Sequence, residues 1–288
     1  MEYPGIPPRL AAGLDRVSGA SWTRGPRDAL AELASVLAPS ECVYCQCDDA
    51  VMCSACRGAF RAATLRPFAA QEGAEGLPLL PDGEPLPVTA AGVYAREVSA
   101  ALLAFKNRQR IPLAGVLGPA LAGSIRAAAQ AHPGPLALVP VPSSRMARAR
   151  RGYAPVDVLI RWISRRGLLP PGVAVVPALR VVRRPPWAVA EQKSRGRRAR
   201  SSDAAEFVVR PGHPVSGAPV LLVDDVLTTG STLARGYLGL LRAGACVQGA
   251  AVLAATAPPR GGERGPLPTA GGPTPDDTPG PGAGAAAR

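Results

Sequence analysis

The chain has 288 residues, enough for one large domain or two smaller ones with a substantial buried core. Hydrophobic residues make up 47% of it and aromatic residues only 4%, so alanine, valine and leucine must fill that core. We expect no membrane insertion, because no apolar run reaches the ~18 residues that a bilayer-spanning helix needs. We expect no signal peptide either, because the first residues lack an apolar stretch.

The net charge of +12 comes almost entirely from arginine, since Lys106 and Lys193 are the only lysines among 33 basic residues. Such an excess is compatible with an anionic partner, either a polyphosphate sugar or nucleic acid. A GC-rich genome, which favours arginine, alanine, glycine and proline, produces the same composition. Charge alone does not separate these explanations.

The two ends of the chain are rich in proline and glycine. Residues 1–25 are rich in proline, glycine and arginine, and residues 258–288 have almost no large apolar side chains, so both are predicted to be disordered. After the first of these stretches, residues 27–37 carry apolar side chains at helical spacing and stop before a proline, which predicts a short helix.

Five of the six cysteines lie close together, in two C-x-x-C pairs with one cysteine between them. The pairs are Cys42 with Cys45 and Cys53 with Cys56. Four thiolates at this spacing can converge on one tetrahedral Zn²⁺, so residues 26–66 are predicted to be a helix followed by a zinc-binding knuckle. Two questions stay open: whether Cys47 is a further ligand or a bystander, and whether the cluster is instead a set of redox thiols.

Strands and helices alternate in the centre of the chain. Residues 67–88 are rich in glycine and proline and are predicted to be a linker. Residues 89–257 are predicted to form a parallel α/β sheet domain. Predicted strands cover 91–94, 136–141, 173–180, 205–209, 220–223 and 246–254, and predicted helices cover 96–105, 112–129, 154–165 and 231–242. Cys246, in the last strand, is interpreted as an inert core thiol.

Residues 220–232 read V-L-L-V-D-D-V-L-T-T-G-S-T. An apolar strand delivers two carboxylates, and a loop of small residues then opens a helix. Hydroxyl and N–H groups of this loop fit a phosphate at the positive end of a helix. The loop residues are Thr228, Thr229, Gly230, Ser231 and Thr232. Asp224 and Asp225 suit two sugar hydroxyls and a divalent cation such as Mg²⁺; the alternative is an aspartate pair that only caps the turn.

This segment resembles the signature with which type I phosphoribosyltransferases bind 5-phosphoribosyl-1-pyrophosphate (PRPP). The resemblance implies that Asp224 and Asp225 contact the ribose hydroxyls and that residues 228–232 hold the 5′-phosphate. It also implies the fold: a phosphoribosyltransferase-like parallel sheet flanked by helices, here with a small zinc-ribbon-like segment at its N-terminal side.

A second loop follows the predicted strand at 136–141 and reads P-V-P-S-S-R. Ser143, Ser144 and Arg145 are candidates to bind the pyrophosphate leaving group, whose charge grows as the C1–O bond breaks. The alternative is a rigid proline turn followed by solvated arginines.

Taken together, the P-V-P strand end, an R-G-Y triplet at 151–153 and the D-D-V-L-T-T-G-S-T segment resemble the ComF family across residues 41–255. The resemblance implies PRPP binding with Mg²⁺, a cytoplasmic protein, an N-terminal cysteine cluster and a link to DNA uptake in competent bacteria. Lys106 matches a lysine common in that family; the alternative is a solvated helix end.

The basic stretch 180–200 resembles the mobile hairpin that closes over PRPP; the alternative, which is favoured for most of its residues, is an exposed basic loop. Gln192 and Arg200 fit the family pattern there, and Arg200 is the preferred catalytic candidate beside Asp224 and Asp225. Asp203, however, stands where asparagine is expected.

The R-G-Y triplet departs from the family pattern as well, because Ala154 and Pro155 follow it where Asn-Gln is usual. Two functions therefore remain. One is an enzyme that transfers phosphoribosyl to an unidentified nitrogen acceptor. The other is a non-catalytic PRPP- or nucleotide-binding accessory in DNA uptake or nucleic-acid handling. Nucleic acid, a competence-machinery protein and a second copy of the chain are the candidate macromolecular partners.

Overall fold

A computed structural model describes residues 41–48, 50–107, 110–132, 134–143, 145–183, 205–213 and 215–256. The predicted helix at 27–37, both predicted disordered ends, and Arg200 with its neighbours in the basic stretch lie outside these ranges.

A six-stranded sheet forms the centre, in the order β1-β2-β8-β7-β3-β4. Only β1 runs antiparallel to its neighbour, and the other pairs are parallel. A separate antiparallel pair, β5 with β6, lies beside it. The strands are β1 (Phe68–Ala69), β2 (Val88–Val93), β3 (Leu136–Pro140), β4 (Val173–Val175), β5 (Leu179–Arg183), β6 (Ala205–Val209), β7 (Pro219–Leu227) and β8 (Cys246–Ala255).

Helices flank this sheet on both sides. They are α1 (Ser54–Thr64), α2 (Arg96–Asn107), α3 (Ala114–Gln130), α4 (Arg145–Arg151), α5 (Pro155–Arg165) and α6 (Ser231–Leu241). Two short 3₁₀ turns, Gln71–Gly73 and Ile111–Leu113, complete the regular structure of the described residues. This arrangement confirms the predicted α/β class, a parallel sheet flanked by helices.

The central strands are apolar throughout because both of their faces are covered. In β7, Leu221 and Val223 belong to a buried cluster that includes α1, α2, α3 and α5. Val220 and Leu222 belong to a second cluster on the opposite face, together with α6 and the β5–β6 pair. Side chains of successive strand residues point to opposite faces, so one short strand supplies both cores.

Three local predictions need correction. The predicted linker packs on the sheet, with Ala74, Leu77 and Leu86 buried. Arg145, which was predicted to lie in the second loop, is instead the first residue of the helix α4. Cys246 is exposed rather than buried, because it is the first residue of β8 and precedes the covered part of the sheet.

The expectation that no segment is long and apolar enough for a membrane span also needs correction. Among the described residues, Ile111–Gln130 satisfies those criteria of length and composition. In the fold this segment contains α3, whose Leu117, Leu121 and Ile125 are completely buried against the sheet. Its apolar character is explained by this packing.

Helices α3 and α5 approach each other closely at Gly118. A Cβ atom added there would lie 2.3 Å from Cε3 of Trp162, whereas one added at Gly115, on the same helix, would meet no atom within 4 Å. We expect Gly118→Ala to lower the free energy of unfolding by about 1–3 kcal/mol through overpacking. Gly115→Ala should raise it by up to about 1 kcal/mol through helix propensity. Urea unfolding measures both, and equal effects would contradict the packing.

Candidate functional site

The two adjacent aspartates lie within β7 rather than just beyond it. The strand continues to Leu227, and its outer part pairs with β8 alone, because the register with β3 ends where Val223 faces Pro140. Asp224 and Asp225 are therefore placed where the sheet opens at the carboxyl ends of its strands. Ligands of open parallel sheets bind at this edge.

Lys106 meets one of these carboxylates. Its Nζ lies 2.8 Å from Oδ1 of Asp225, and the two side chains retain 20% and 15% of their exposure. The lysine comes from the last turn of α2, where a cation is also favoured by the helix dipole. The structure thus brings together two predicted site residues that are 119 positions apart in the chain.

Asp224 lies in a different environment. Its Oδ1 accepts the N–H of Asp225 at 2.8 Å. Burial, reinforced by the neighbouring charge of Asp225, raises the pKa of Asp224 from 3.8 to about 8. Because strand side chains alternate between faces, Asp224 is directed away from Lys106, towards the side of α6. The hydrogen bond from the Asp225 N–H and the charges of Lys106 and of Arg235 in α6 only partly offset the rise in this pKa.

The predicted phosphate loop joins β7 to α6. Gly230 is the N-cap of α6 and has a φ of 83°, a left-handed conformation that favours glycine. The Thr229 hydroxyl donates to the Ser231 hydroxyl at 3.2 Å, and Thr228, Thr229 and Ser231 are exposed. Thr232 follows in the first turn of the helix. The loop therefore presents the hydroxyls and the helix N-terminus that the sequence predicted.

The second loop begins beside the aspartates. The N–H of Val141 donates to the Val223 carbonyl at 2.9 Å, and the half-buried Ser143 follows two residues later. Ser144 lies outside the described residues, and Arg145 is described only as the first residue of α4. The structure thus places the start of this loop next to the aspartates and leaves the roles of its polar side chains as predictions.

A tyrosine connects the turn between α4 and α5 to α2. The Tyr153 hydroxyl donates to the Phe105 carbonyl, and the two rings pack edge to face with centroids 5.8 Å apart. Burial raises the pKa of Tyr153, so its hydroxyl keeps the proton that it donates. Phe105 directly precedes Lys106. The contact fixes the end of the helix from which that lysine extends.

The cysteine cluster contains a convergent set of four thiols. Cys42, Cys45, Cys53 and Cys56 place their sulfur atoms within 4.8 Å of one another. The Sγ atoms of Cys45 and Cys53 are 3.6 Å apart. Two thiolates bound ~2.3 Å from one tetrahedral zinc ion are ~3.8 Å apart, so this set can hold a metal ion.

Local backbone geometry creates this arrangement. Cys53 is the N-cap of α1, where its sulfur accepts the N–H of Cys56. Burial disfavours a thiolate at Cys42, but hydrogen bonds from the backbone of Cys53, Tyr44 and Cys45 outweigh it and lower the pKa of Cys42 to about 6. Thiolates are the metal-binding form of cysteine. Cys47 is exposed, with its sulfur 3.4 Å from that of Cys45, and is not one of the convergent four.

A cavity of about 470 Å³ lies away from these two sites, between α1 and α3. Three arginines, Arg57, Arg61 and Arg126, share its lining with apolar side chains. None of the predicted site residues lines this cavity. Its size alone therefore does not connect it with the aspartates.

Two residues that support the phosphate loop from outside were not among the predicted site residues. Gly76 donates its N–H to the Thr229 carbonyl at 2.8 Å, and Leu77 packs against Gly230. Tyr153 was noted only as part of a motif. No local pattern distinguishes these residues, since each acts through a contact with a distant part of the chain.

Comparison with known proteins gives distant similarities. No protein-family model and no curated protein matches the sequence. Among solved structures, the chain is similar to two hypoxanthine phosphoribosyltransferase mutants in which an invariant aspartic acid is replaced by glutamic acid or alanine. The identity is 20% in both cases, with TM-scores of 0.29 and 0.28. These matches cover 55% and 56% of this chain and 73% and 75% of the others.

A third similar structure is a mutant hypoxanthine phosphoribosyltransferase from Trypanosoma cruzi in a ternary complex with substrates. It is 20% identical, with a TM-score of 0.27, and the match covers 54% of this chain and 72% of that one. At this distance the similarity assigns neither a substrate nor the role of any residue.

The metal site predicts different effects for neighbouring cysteines. We expect the purified protein to hold one metal ion and Cys53→Ser to lose it, because a four-thiolate site needs every ligand. Cys47→Ser should keep the metal. Elemental analysis of the two variants checks this, and loss of metal from both, or a wild-type protein without metal, would contradict the assignment.

Asp224 predicts a specific dependence of stability on pH. Because its pKa is raised in the folded state, the native protein binds more protons than the unfolded chain between about pH 4 and pH 8. The free energy of unfolding should therefore decrease as the pH rises through this range. Asp224→Asn should remove that component and be more stable than wild type at pH 8.

Urea unfolding in buffer free of divalent ions, at pH 5 and pH 8, measures this dependence. Asp82→Asn is the matched control, since Asp82 lies in an exposed turn. The same pH dependence in wild type and Asp224→Asn would show that the carboxyl group of Asp224 is not the cause.

Proposed function

We propose that this chain binds PRPP and transfers its phosphoribosyl group to a nitrogen nucleophile, with release of pyrophosphate, as a phosphoribosyltransferase-like protein of the ComF type. One observation carries the proposal. Residues 220–232, which resemble the PRPP signature, place two carboxylates and a glycine-capped helix N-terminus together at the open edge of a parallel sheet.

Each part of the site has a role in this proposal. Asp224 and Asp225 accept hydrogen bonds from the two ribose hydroxyls. The loop 228–232 binds the 5′-phosphate through its N–H groups and hydroxyls, helped by the positive end of α6. Lys106 holds Asp225 in a fixed orientation before PRPP arrives, which reduces the reorganisation that binding requires.

The leaving group is assigned to the second loop. Ser143, Ser144 and Arg145 stabilise the charge that pyrophosphate gains as the bond breaks, and Arg200 adds a further cation. The C1–O bond breaks with its electron pair leaving on pyrophosphate. The nitrogen lone pair forms the new C1–N bond, and the nitrogen then gives up a proton to water. A loosely bonded, cation-like ribose needs little covalent help from the protein.

Two metal ions belong to this proposal. Mg²⁺ bound with PRPP supplies charge neutralisation at the pyrophosphate, and Asp224 and Asp225 are the carboxylates suited to hold it. Zn²⁺ is proposed for the four cysteines, because a tetrahedral set of four sulfurs is typical of structural zinc. Cys42, Met52, Cys56 and Phe60 share one buried cluster with α2, which supports a structural role for this ion.

Binding of PRPP tests the proposal directly. We expect wild type to bind PRPP more tightly with Mg²⁺ than without it. Asp224→Asn/Asp225→Asn should weaken binding by about 100-fold or more, since hydrogen bonds to charged groups each contribute about 1.5–3 kcal/mol. Isothermal titration calorimetry provides the measurement. Asp82→Asn, in an exposed turn, is the control and should bind as wild type does.

Turnover is measured separately as pyrophosphate released from PRPP with ammonia or candidate bases. Release that depends on the acceptor supports the transferase. Tight PRPP binding without release for any acceptor would instead support the non-catalytic accessory, with nucleic acid or the competence machinery as its partner. Unchanged PRPP affinity in the double variant would contradict the proposed site itself.

A further inference from the structure

Residues 71–87 fold against the face of the sheet that carries α6. Ala74, Leu77 and Leu86 are buried in the same cluster as Leu233 and Tyr237 of α6. The segment is held along its length by backbone hydrogen bonds, including Leu77 N–H to the Ala74 carbonyl at 3.0 Å. It is therefore an ordered wall next to the helix whose N-terminus faces the predicted phosphate.

Gly76 is the residue at which this wall approaches the loop 228–232 most closely. Its N–H donates to the Thr229 carbonyl at 2.8 Å. A Cβ atom at position 76 would lie 2.6 Å from that carbonyl oxygen and 3.5 Å from the backbone nitrogen of Ser231. Real Cβ contacts do not become as short as the first distance, so only glycine allows the wall to approach the loop this closely.

The next residue makes an independent contact with the same loop. Leu77 covers Gly230, where an added Cβ atom would lie 2.7 Å from Leu77 Cγ. Glycine is thus required at position 230 for two reasons: the backbone has a left-handed φ of 83°, and Leu77 occupies the space that a Cβ atom would need. Two consecutive residues of the wall hold two consecutive residues of the loop.

The first contact has a directional consequence. A peptide unit is planar and trans, so its carbonyl and N–H groups point in opposite directions. Since Gly76 holds the Thr229 carbonyl on one side of the loop, the N–H of Gly230 points to the other side. A phosphate-binding N–H that is fixed before the ligand arrives requires less reorganisation on binding.

We propose that Gly76 and Leu77 are positioning residues for the 5′-phosphate: they fix the backbone of residues 229–230 so that the loop binds a sugar phosphate. This inference rests on the proposed function. It predicts a selective loss, since these contacts touch the loop 228–232 and not the second loop, which is assigned to pyrophosphate.

The experiment compares two ligands in one set of proteins. Ribose 5-phosphate probes the phosphate loop, and magnesium pyrophosphate probes the leaving-group side. We expect Gly76→Ala to weaken ribose 5-phosphate binding by about 10-fold or more, the effect of one misdirected hydrogen bond to a charged group. Binding of pyrophosphate should stay within about two-fold of wild type.

Two further variants complete the set. Gly115→Ala makes the same chemical change on the exposed side of α3, where the added methyl group meets no atom within 4 Å, and it should bind both ligands as wild type does. Leu77→Ala tests the second contact without a clash and should reduce ribose 5-phosphate affinity in the same selective way. It also provides the answer if Gly76→Ala does not fold.

The outcomes distinguish failure of the positioning role from failure of the proposed function. Selective loss of ribose 5-phosphate binding in Gly76→Ala or Leu77→Ala supports the positioning role. Wild-type affinity in both variants, or equal loss of both ligands with a lowered melting temperature, overturns that role and leaves the proposed function intact. A wild-type protein that binds neither ligand overturns the proposed function and the positioning role with it.

Discussion

Two adjacent carboxylates on a partly covered strand need a compensating charge, and the ion pair between Lys106 and Asp225 supplies it at one of them. A pair of this kind contributes little net stability, because the cost of removing both charges from water offsets much of their attraction. The ion pair matters more for the positions of the two side chains than for stability. With Nζ 2.8 Å from Oδ1, the pair sets the distance between α2 and β7 at the edge where the sheet opens. At Asp224, burial and the neighbouring charge of Asp225 raise the pKa instead.

Other parts of the chain hold α2, the helix that carries Lys106, in place. The hydrogen bond from Tyr153 to the Phe105 carbonyl connects the turn before α5 to the end of α2, from which the lysine extends. The outer side of α2 is covered by the cysteine segment, whose Phe60 lies in the same buried cluster as Phe105. A metal ion held by the four cysteines would therefore stabilise the packing behind α2.

The sequence alone predicted those parts of the fold and of the site whose signal lies in consecutive residues. Residues 220–232 contain an apolar strand, two acids and a loop of small residues in unbroken order, and the structure has the same elements. The spacing of the cysteines likewise predicted convergence, because two short C-x-x-C turns restrict where their thiols can lie. The ordered structure of residues 71–87 was not predicted, because a segment rich in glycine and proline without periodicity has the same sequence pattern in a flexible linker and in an ordered coil. Lys106 and Asp225 are 119 residues apart, and no local pattern reports such a contact.

The two faces of the sheet contribute different elements to one edge. The face covered by α2 brings a cation to Asp225, and the opposite face brings a glycine-containing wall against the loop after β7. Both Lys106 and this wall belong to chain segments that precede the sheet's central strands in sequence. A site that binds a sugar through carboxylates and a phosphate through backbone N–H groups needs both groups fixed relative to each other. Because β7 carries the aspartates and leads directly into the loop, displacement of either supporting segment would disturb one group relative to the other.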